Sequence, residues 1–286
     1  MFRRVNHLRP IFHMQDFTDI HGLIIDMDGV LWHGDRPQPG LTEFFQALRQ
    51  LQIPFVLATN NASLTADQYV IKLANMGVTV DLTEILTSGM ATAWYLAERY
   101  PADATSVFVI GMQGLLQPLR DQGFRLIGVN DAQQVAQIVV CGLDKALSWD
   151  KLATAALNIQ HGADFIASNG DVTLPTEQGF LPGNGATIAA LTAATGVSPV
   201  IIGKPEPIIY QQALAILGLE PQQVIAIGDR LDTDILGAVR AGMRSLLVLS
   251  GISTERDMSQ LDYAPNWVMQ DIQTLTQVLI KQRISP

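Results

Sequence analysis

The chain holds 286 residues, enough for one large domain or two modest ones. Lys and Arg number 18 against 27 Asp and Glu, a formal net charge of −9 with no basic run, which argues against nucleic acid and anionic lipid as partners. Hydrophobic residues make up 48% and charged residues 16%, the balance of a compact globule rather than a disordered chain.

The first seventeen residues mix Arg3, Arg4 and Arg9 with His7, Pro10, His13 and Asp16 and lack the continuous apolar core of a signal peptide. No stretch approaches the roughly 18 to 20 apolar residues of a membrane span. The chain therefore reads as cytoplasmic. From Gly22 onward, short apolar runs alternate with amphipathic helices, the pattern of parallel βαβ units. Gly22-Leu23-Ile24-Ile25 predicts the first strand, and Leu41, Phe44, Phe45, Leu48 and Leu51 recur at helical spacing. Pro54 to Ala58 reads as a strand with proline only at its first position. Thr65 is placed to cap a helix carrying Tyr69, Leu73 and Met76, with Gly77 as its stop.

Val107 to Ile110, Ile138 to Val140 and Phe165 to Ala167 predict further strands, and Trp149 to Gln160 a helix. Val200 to Ile202 predicts a strand, Ile208 to Leu217 a helix ended by Gly218, and Val224 to Ile227 a strand. Thr233 to Ala241 reads as a helix ended by Gly242, and Leu246 to Leu249 as the next strand. There are no internal repeats, and nothing in composition marks a linker.

Ligands of open α/β sheets gather at the carboxyl ends of the strands, so the residues after each strand carry the information. The first strand runs into Asp26-Met27-Asp28-Gly29-Val30, the second into Thr59-Asn60-Asn61. Gly203-Lys204-Pro205 follows Ile202, and Gly228-Asp229 follows Ile227, with Asp232 and Asp234 close behind. Carboxylates, a hydroxyl and one ammonium suit a divalent cation plus a phosphate. Hard oxygens from Asp26 and Asp229 are what magnesium prefers, Thr59 and nearby amides can donate to phosphate oxygens, and Lys204 supplies a point charge.

Asp26-x-Asp28-Gly-Val, Thr59-Asn60, Lys204 and Gly228-Asp229-x-x-x-x-Asp234 resemble, in order, the four motifs of haloacid dehalogenase-superfamily phosphatases. Thr59-Asn60-Asn61, Thr87-Ser88-Gly89-Met90-Ala91-Thr92, Phe180-Leu181-Pro182-Gly183, Gly203-Lys204-Pro205 and Leu247-Val248-Leu249-Ser250-Gly251 are similar to the NagD-type subfamily. The resemblance covers the chain from about Gly22 to the region of Trp267. It implies an α/β fold: a Rossmann-like parallel-sheet core of residues 1–101 and 199–286, interrupted by an α/β cap of residues 102–198.

It also implies roles. Asp26 resembles the nucleophile that attacks phosphorus, and Asp28 the general acid that protonates the leaving oxygen and then deprotonates water. The implied magnesium shell is Asp26, the main-chain carbonyl of Asp28, and Asp229, with Asp234 supporting it. Thr59, Asn60 and Asn61 resemble the phosphate grip, and Lys204 the residue that steadies nucleophile and phosphoryl charge. The implied activity is magnesium-dependent hydrolysis of a small phosphorylated metabolite, a nucleoside monophosphate, sugar phosphate or similar. The resemblance allows a homodimer through the cap. Two alternatives stand beside it: a phosphomutase, and a non-catalytic metal- or phosphate-binding regulatory protein on the same fold. A dehalogenase is disfavoured, because those enzymes do not use the second aspartate that Asp28 supplies.

Other residues read more plainly. Cys141, the single cysteine, sits in an apolar run and reads as a core residue. Asp232 reads as solvent-facing, and Trp32 and His33 as core or rim packing near the pocket. The five histidines show no metal-ligand spacing. Gly179-x-x-x-Gly183-x-Gly185 lacks the preceding strand and downstream acidic residue of a dinucleotide loop. In the cap, Asn169 and Asp171 follow a strand and could either reach the cleft or cap a turn.

Overall fold

The computed structural model describes Phe17 and residues 19–129, 135–176 and 179–284. The N-terminal extension read above, with His7 and His13, lies outside the described residues apart from Phe17. Two parallel sheets carry the fold. The first has six strands in the order Trp267–Met269, Arg244–Val248, Val224–Gly228, Gly22–Ile25, Phe55–Thr59, Ile85–Thr87. The chain starts in the middle of this sheet and builds one side before crossing to the other. The order therefore reverses at Gly22–Ile25, the switch point where such sheets bind ligands.

Both faces of the sheet are covered, which explains why its strands are apolar throughout rather than alternating. Leu23, Ile25, Phe55, Leu57, Ile225 and Ile227 face one cluster with Phe44, Leu48 and Leu279. Ile24, Val56, Ala58, Val224 and Ala226 face the other, with Tyr210 and Ala213. Helices complete these faces for local reasons. Leu41–Gln50 buries Leu41, Phe44, Phe45 and Leu48 on one stripe. Ala66–Asn75 begins on a capping box in which Thr65 and Gln68 exchange side-chain and main-chain bonds. Pro207–Leu217 starts on proline and stops at left-handed Gly218.

The second sheet has five parallel strands in the order Val200–Ile201, Asp164–Ala167, Ile138–Cys141, Ser106–Ile110, Arg125–Ile127. An antiparallel ribbon, Thr173–Thr176 with Gly179–Pro182, lies beside it in sequence. Here one expectation is corrected. Val200 and Ile201 pair in parallel with Ile166 and Ala167, so this strand closes the edge of the second sheet instead of belonging to the first. An apolar run announces a strand but not its neighbour, and at two residues this one is only long enough to hold an edge before Gly203 turns the chain into the cleft.

A second correction concerns Thr233 to Ala241. Residues Leu231–Ile235 form a widened turn, in which Ile235 N–H bonds Arg230 O, and the regular helix is only Leu236–Arg240. Such widened turns recur at functional sites because they rotate one side chain out of helical register. Helix Trp149–Gln160 has the predicted bounds. Among the described residues, no helix is long and apolar enough to cross a membrane.

Candidate active site

Asp26, Thr59 and Asp229 stand at the carboxyl ends of three adjacent strands, and Lys204 reaches them from the loop after Ile201. Lys204 is 3% exposed. Its ammonium donates to Asp26 Oδ1 at 2.5 Å, to Asp234 Oδ1 at 2.6 Å and to Ala58 O at 3.1 Å, which takes all three of its protons. Burial opposes its charge, but Asp234 and Asp26 outweigh burial and raise its pKa well above the ordinary lysine value. The Asp26 carboxyl is itself held well above its usual range, by burial first, against the pull of Lys204.

Asp26, Asp229 and Asp234 each bring an oxygen within 4.8 Å of the others. Asp234 is fully engaged: Oδ1 accepts from Lys204, and Oδ2 accepts the Arg230 N–H at 3.1 Å across the widened turn. It folds back toward the cluster rather than capping the helix that follows. Tyr210 O–H donates to its carbonyl at 3.0 Å and steadies the turn. Asp229 differs. Oδ2 accepts Ile252 N–H at 2.8 Å, while Oδ1 is buried with no hydrogen-bond partner among the described residues. Burial, with Asp234 next in weight, pushes its pKa up to about 6.

Asp229 also explains two glycines. Gly29 has φ +86°, and a Cβ there would lie 2.3 Å from Asp229 Oδ2; at Gly251 it would lie 1.9 Å away. Both loops press bare backbone against this carboxylate. An orphaned carboxylate oxygen facing two further carboxylates, all hard donors, fits a divalent cation bound with water. Asp28 stands apart from this group, turned toward Trp32, whose indole N–H it accepts on Oδ1 at 2.8 Å.

The cleft is a cavity of about 290 Å³ between the two sheets. It is lined by Asp26, Asp28, Thr59, Asp229 and Asp234 on the side of the first sheet, by Lys204 from the loop after Ile201, and by Leu143, Asn169, Asp171, Leu174 and Asn184 on the side of the second. Thr59 Oγ1 accepts Asn61 N–H at 3.1 Å, and its own O–H lies beside the Tyr69 phenol. Asn61 Oδ1 is engaged by Ser63 N–H and O–H. The Asn60 amide is wholly committed elsewhere: Oδ1 accepts Lys204 N–H and Nδ2 donates to Lys204 O, both at 2.8 Å. Its side chain thus clamps the main chain of Lys204, and any contact it makes to a phosphoryl group comes from its backbone.

The cap loop separates Asn169 from Asp171. Asn169 is 5% exposed, with Nδ2 on Asn60 O at 2.8 Å and Oδ1 accepting Asp171 N–H at 3.2 Å. Asp171 reaches the cavity, 3.2 Å from Asn60 Nδ2 and 3.9 Å from Arg230 Nη1. Burial raises its carboxyl pKa, partly offset by Arg230. Arg230 also forks onto Asp232, which is exposed as expected. Cys141 is buried, its thiol pushed up to about 12 by burial, and it donates to Asn184 Oδ1. His21, His33 and His161 are exposed and lie outside the carboxylate group.

Sequence reading left three contributors unassigned: Trp32 Nε1, Tyr210 O–H and the Gly251–Ile252 loop. Only the last had a signal, the Ser250-Gly251 step after an apolar strand.

The chain belongs to the haloacid dehalogenase-like hydrolases. The model of that family matches residues 23–125, and a second model of the same kind matches residues 201–275. Within the family the chain is NagD-like: it superposes on NagD from E. coli K-12 with a TM-score of 0.80 and 34% identity, over 88% of this chain and 97% of that one. The acid sugar phosphatase of Staphylococcus aureus (strain MRSA252) is 40% identical over 249 residues, 87% of this chain and 94% of that protein. The 5'-nucleotidase YutF of Bacillus subtilis (strain 168) is 39% identical over 238 residues, 83% and 90% respectively.

Proposed function

We propose that this protein is a phosphoric monoester hydrolase that acts on small phosphorylated metabolites through an aspartyl-phosphate on Asp26, with magnesium as the ion. The observation that carries the reading is the cluster at the sheet's switch point. Two of the three carboxylates there, Asp26 and Asp234, share one buried ammonium, and among the described residues Asp229 Oδ1 is left without a hydrogen-bond partner. Asp26, Asp229 and the main-chain carbonyl of Asp28 would hold the ion, and Asp234 would support them through Lys204. When bound, magnesium neutralises charge on the phosphoryl oxygens.

The rest is done by the chain. Lys204 favours the ionised form of Asp26 against the burial that opposes it and aims the carboxylate, because a protonated nucleophile could not attack phosphorus. Thr59 O–H donates to a phosphoryl oxygen. Asp28 gives its proton to the leaving oxygen and later removes one from water. On a chain of net charge −9, Lys204 and Arg230 supply the local positive field that admits a dianion. The core would comprise residues 1–101 and 202–286, with the inserted cap extended through Ile201 because that strand pairs with the cap sheet. A cytoplasmic location is part of the same reading. Self-association through the cap, where Trp149 and Phe180 stand exposed, is read by sizing the protein in solution.

The test is phosphate release from a panel of sugar phosphates, nucleoside monophosphates and p-nitrophenyl phosphate, with magnesium and with EDTA. Turnover is expected only with the metal. Asp26→Asn should retain less than about a hundredth of it, since an amide forms no acyl phosphate. Greater residual turnover rejects Asp26 as nucleophile.

A further inference from the structure

Trp32 is fully buried, yet its one polar group is directed to a carboxylate that faces the cavity. A buried indole N–H needs an acceptor, and main-chain carbonyls are the usual supply. Here Nε1 donates to Asp28 Oδ1 at 2.8 Å. The two residues are tied again through the backbone, where Gly29 N–H donates to Trp32 O at 2.8 Å and Asp28 bridges to Trp32. The ring cannot drift. Tyr69 stacks on it at 6.3 Å between centroids, and Lys72 Nζ lies 4.7 Å from its centroid while donating to Gly34 O at 2.7 Å.

We propose that Trp32 is a positioning residue for Asp28, fixing which carboxyl oxygen carries the proton delivered to the leaving group. An indole nitrogen only donates, so the oxygen facing it must accept and cannot also point a proton at it. Oδ1 is thereby kept as the acceptor, and Oδ2 is the oxygen left to exchange a proton with the leaving group. As the ester bond breaks, the Oδ2–H bond breaks with it and a new O–H bond forms on the departing oxygen. The electron pair of the broken O–H stays on Asp28, and the Trp32 N–H stabilises the carboxylate left behind. That carboxylate then takes a proton from the attacking water, again on Oδ2. Lys72 above the ring draws electron density from the indole and strengthens the donor. The inference rests on Asp28 being the general acid, and the experiment separates the two.

Trp32→Phe keeps an aromatic ring against Tyr69 and removes only the donor. Its kcat/KM for glycerol 2-phosphate, whose alkoxide must be protonated, should fall about tenfold or more, the scale of a lost hydrogen bond to a charged group. For p-nitrophenyl phosphate, whose leaving group departs unprotonated, the change should stay within about threefold. Placed on Asp28→Asn, the substitution should add no further difference between the two esters. Equal losses, or none, overturn the proposal. If Asp28→Asn itself shows no dependence on the leaving group, the acid assignment fails and the proposal falls with it. If Asp28→Asn shows the dependence and Trp32→Phe does not, only the tryptophan's part fails. A second measurement does not need Trp32→Phe to fold. In the indole N–H spectrum of ¹⁵N-labelled protein, Asp28→Ala should move one tryptophan resonance and speed its exchange with water. Four unmoved resonances overturn the proposal.

Discussion

The two walls of the cleft are built on opposite plans. On the core side, Asp26, Asp229 and Asp234 bring oxygens within 4.8 Å of one another beside one ammonium, and among the described residues Asp229 Oδ1 has no hydrogen-bond partner. On the cap side, neutral groups answer one another. Asn184 Nδ2 donates to Cys141 O at 3.1 Å and Asn169 O at 2.7 Å, its Oδ1 accepts the Cys141 thiol, and Asn169 Nδ2 bonds Asn60 O. A satisfied network rigidifies, whereas an unsatisfied buried carboxylate costs stability that only a ligand can return. The core wall is therefore organised for a cation and a phosphoryl group, and the cap wall for holding its own shape above them.

The largest effect should come from removing the unmet charge. Asp229→Asn keeps the shape and deletes a buried carboxylate that neither Lys204 nor any hydrogen atom fully answers. We expect the metal-free protein to gain about 1–3 kcal/mol, because a badly compensated buried charge is a net cost. The same variant should lose phosphatase activity by at least about 10²-fold and lose the rise in melting temperature that magnesium confers on the wild type. Melting curves with and without magnesium decide it. A metal-free variant less stable than the wild type would mean that the asymmetry between the walls is not electrostatic.

Much of the core wall was legible in the chain. Asp26-x-Asp28 follows an apolar strand, Lys204 stands between glycine and proline, and Asp229 and Asp234 end the series, so position at strand ends announced them. The Thr65 cap and the bounds of Trp149–Gln160 were legible because they depend on neighbours within a turn. What escaped depends on partners far away in sequence. Asn60 reads as part of the phosphate grip, but the clamp that its side chain places on the main chain of Lys204, 144 residues on, has no signal in the sequence. Val200–Ile201 was correctly a strand, but its pairing with Ile166 and Ala167 is a choice between two sheets that its own residues do not encode. Helix Asn184–Thr195 went unread because Ala, Thr and Gly give it no apolar stripe, and Leu191 is its one large buried side chain.

The cap wall should respond in stability rather than in chemistry. Asn184→Ala leaves the carbonyls of Cys141 and Asn169 without their donor, at a cost of about 1–3 kcal/mol. Urea unfolding should show the loss, while turnover of p-nitrophenyl phosphate per folded molecule stays within about threefold of wild type. A collapse of turnover with unchanged stability would instead place Asn184 among the groups that touch substrate.

The smallest effect sharpens the comparison within the cap wall itself, where Asn169 and Asp171 are two residues apart and differently employed. Every side-chain contact seen for Asn169 is internal, to Asn60 O, Ser168 Oγ and Asp171 N–H. Asp171 turns its carboxylate into the cavity toward Arg230 Nη1, at 3.9 Å, a distance too long for a hydrogen bond and short enough for a substrate hydroxyl to engage both groups. A leaving group bearing hydroxyls can donate to Asp171 and accept from Arg230, and p-nitrophenol has none to offer. Asp171→Ala should therefore lower kcat/KM for the best hydroxyl-bearing ester about tenfold, the value of one polar contact, and change p-nitrophenyl phosphate much less. Asn169→Ala should lower both esters together, because it loosens the loop that seats the cap on Asn60. The deciding quantity is the ratio of the two substrates in each folded variant. A ratio that moves with Asn169 and not with Asp171 would reverse the assignment, leaving Asp171 as a strut and giving selectivity to the residue whose bonds all appear internal.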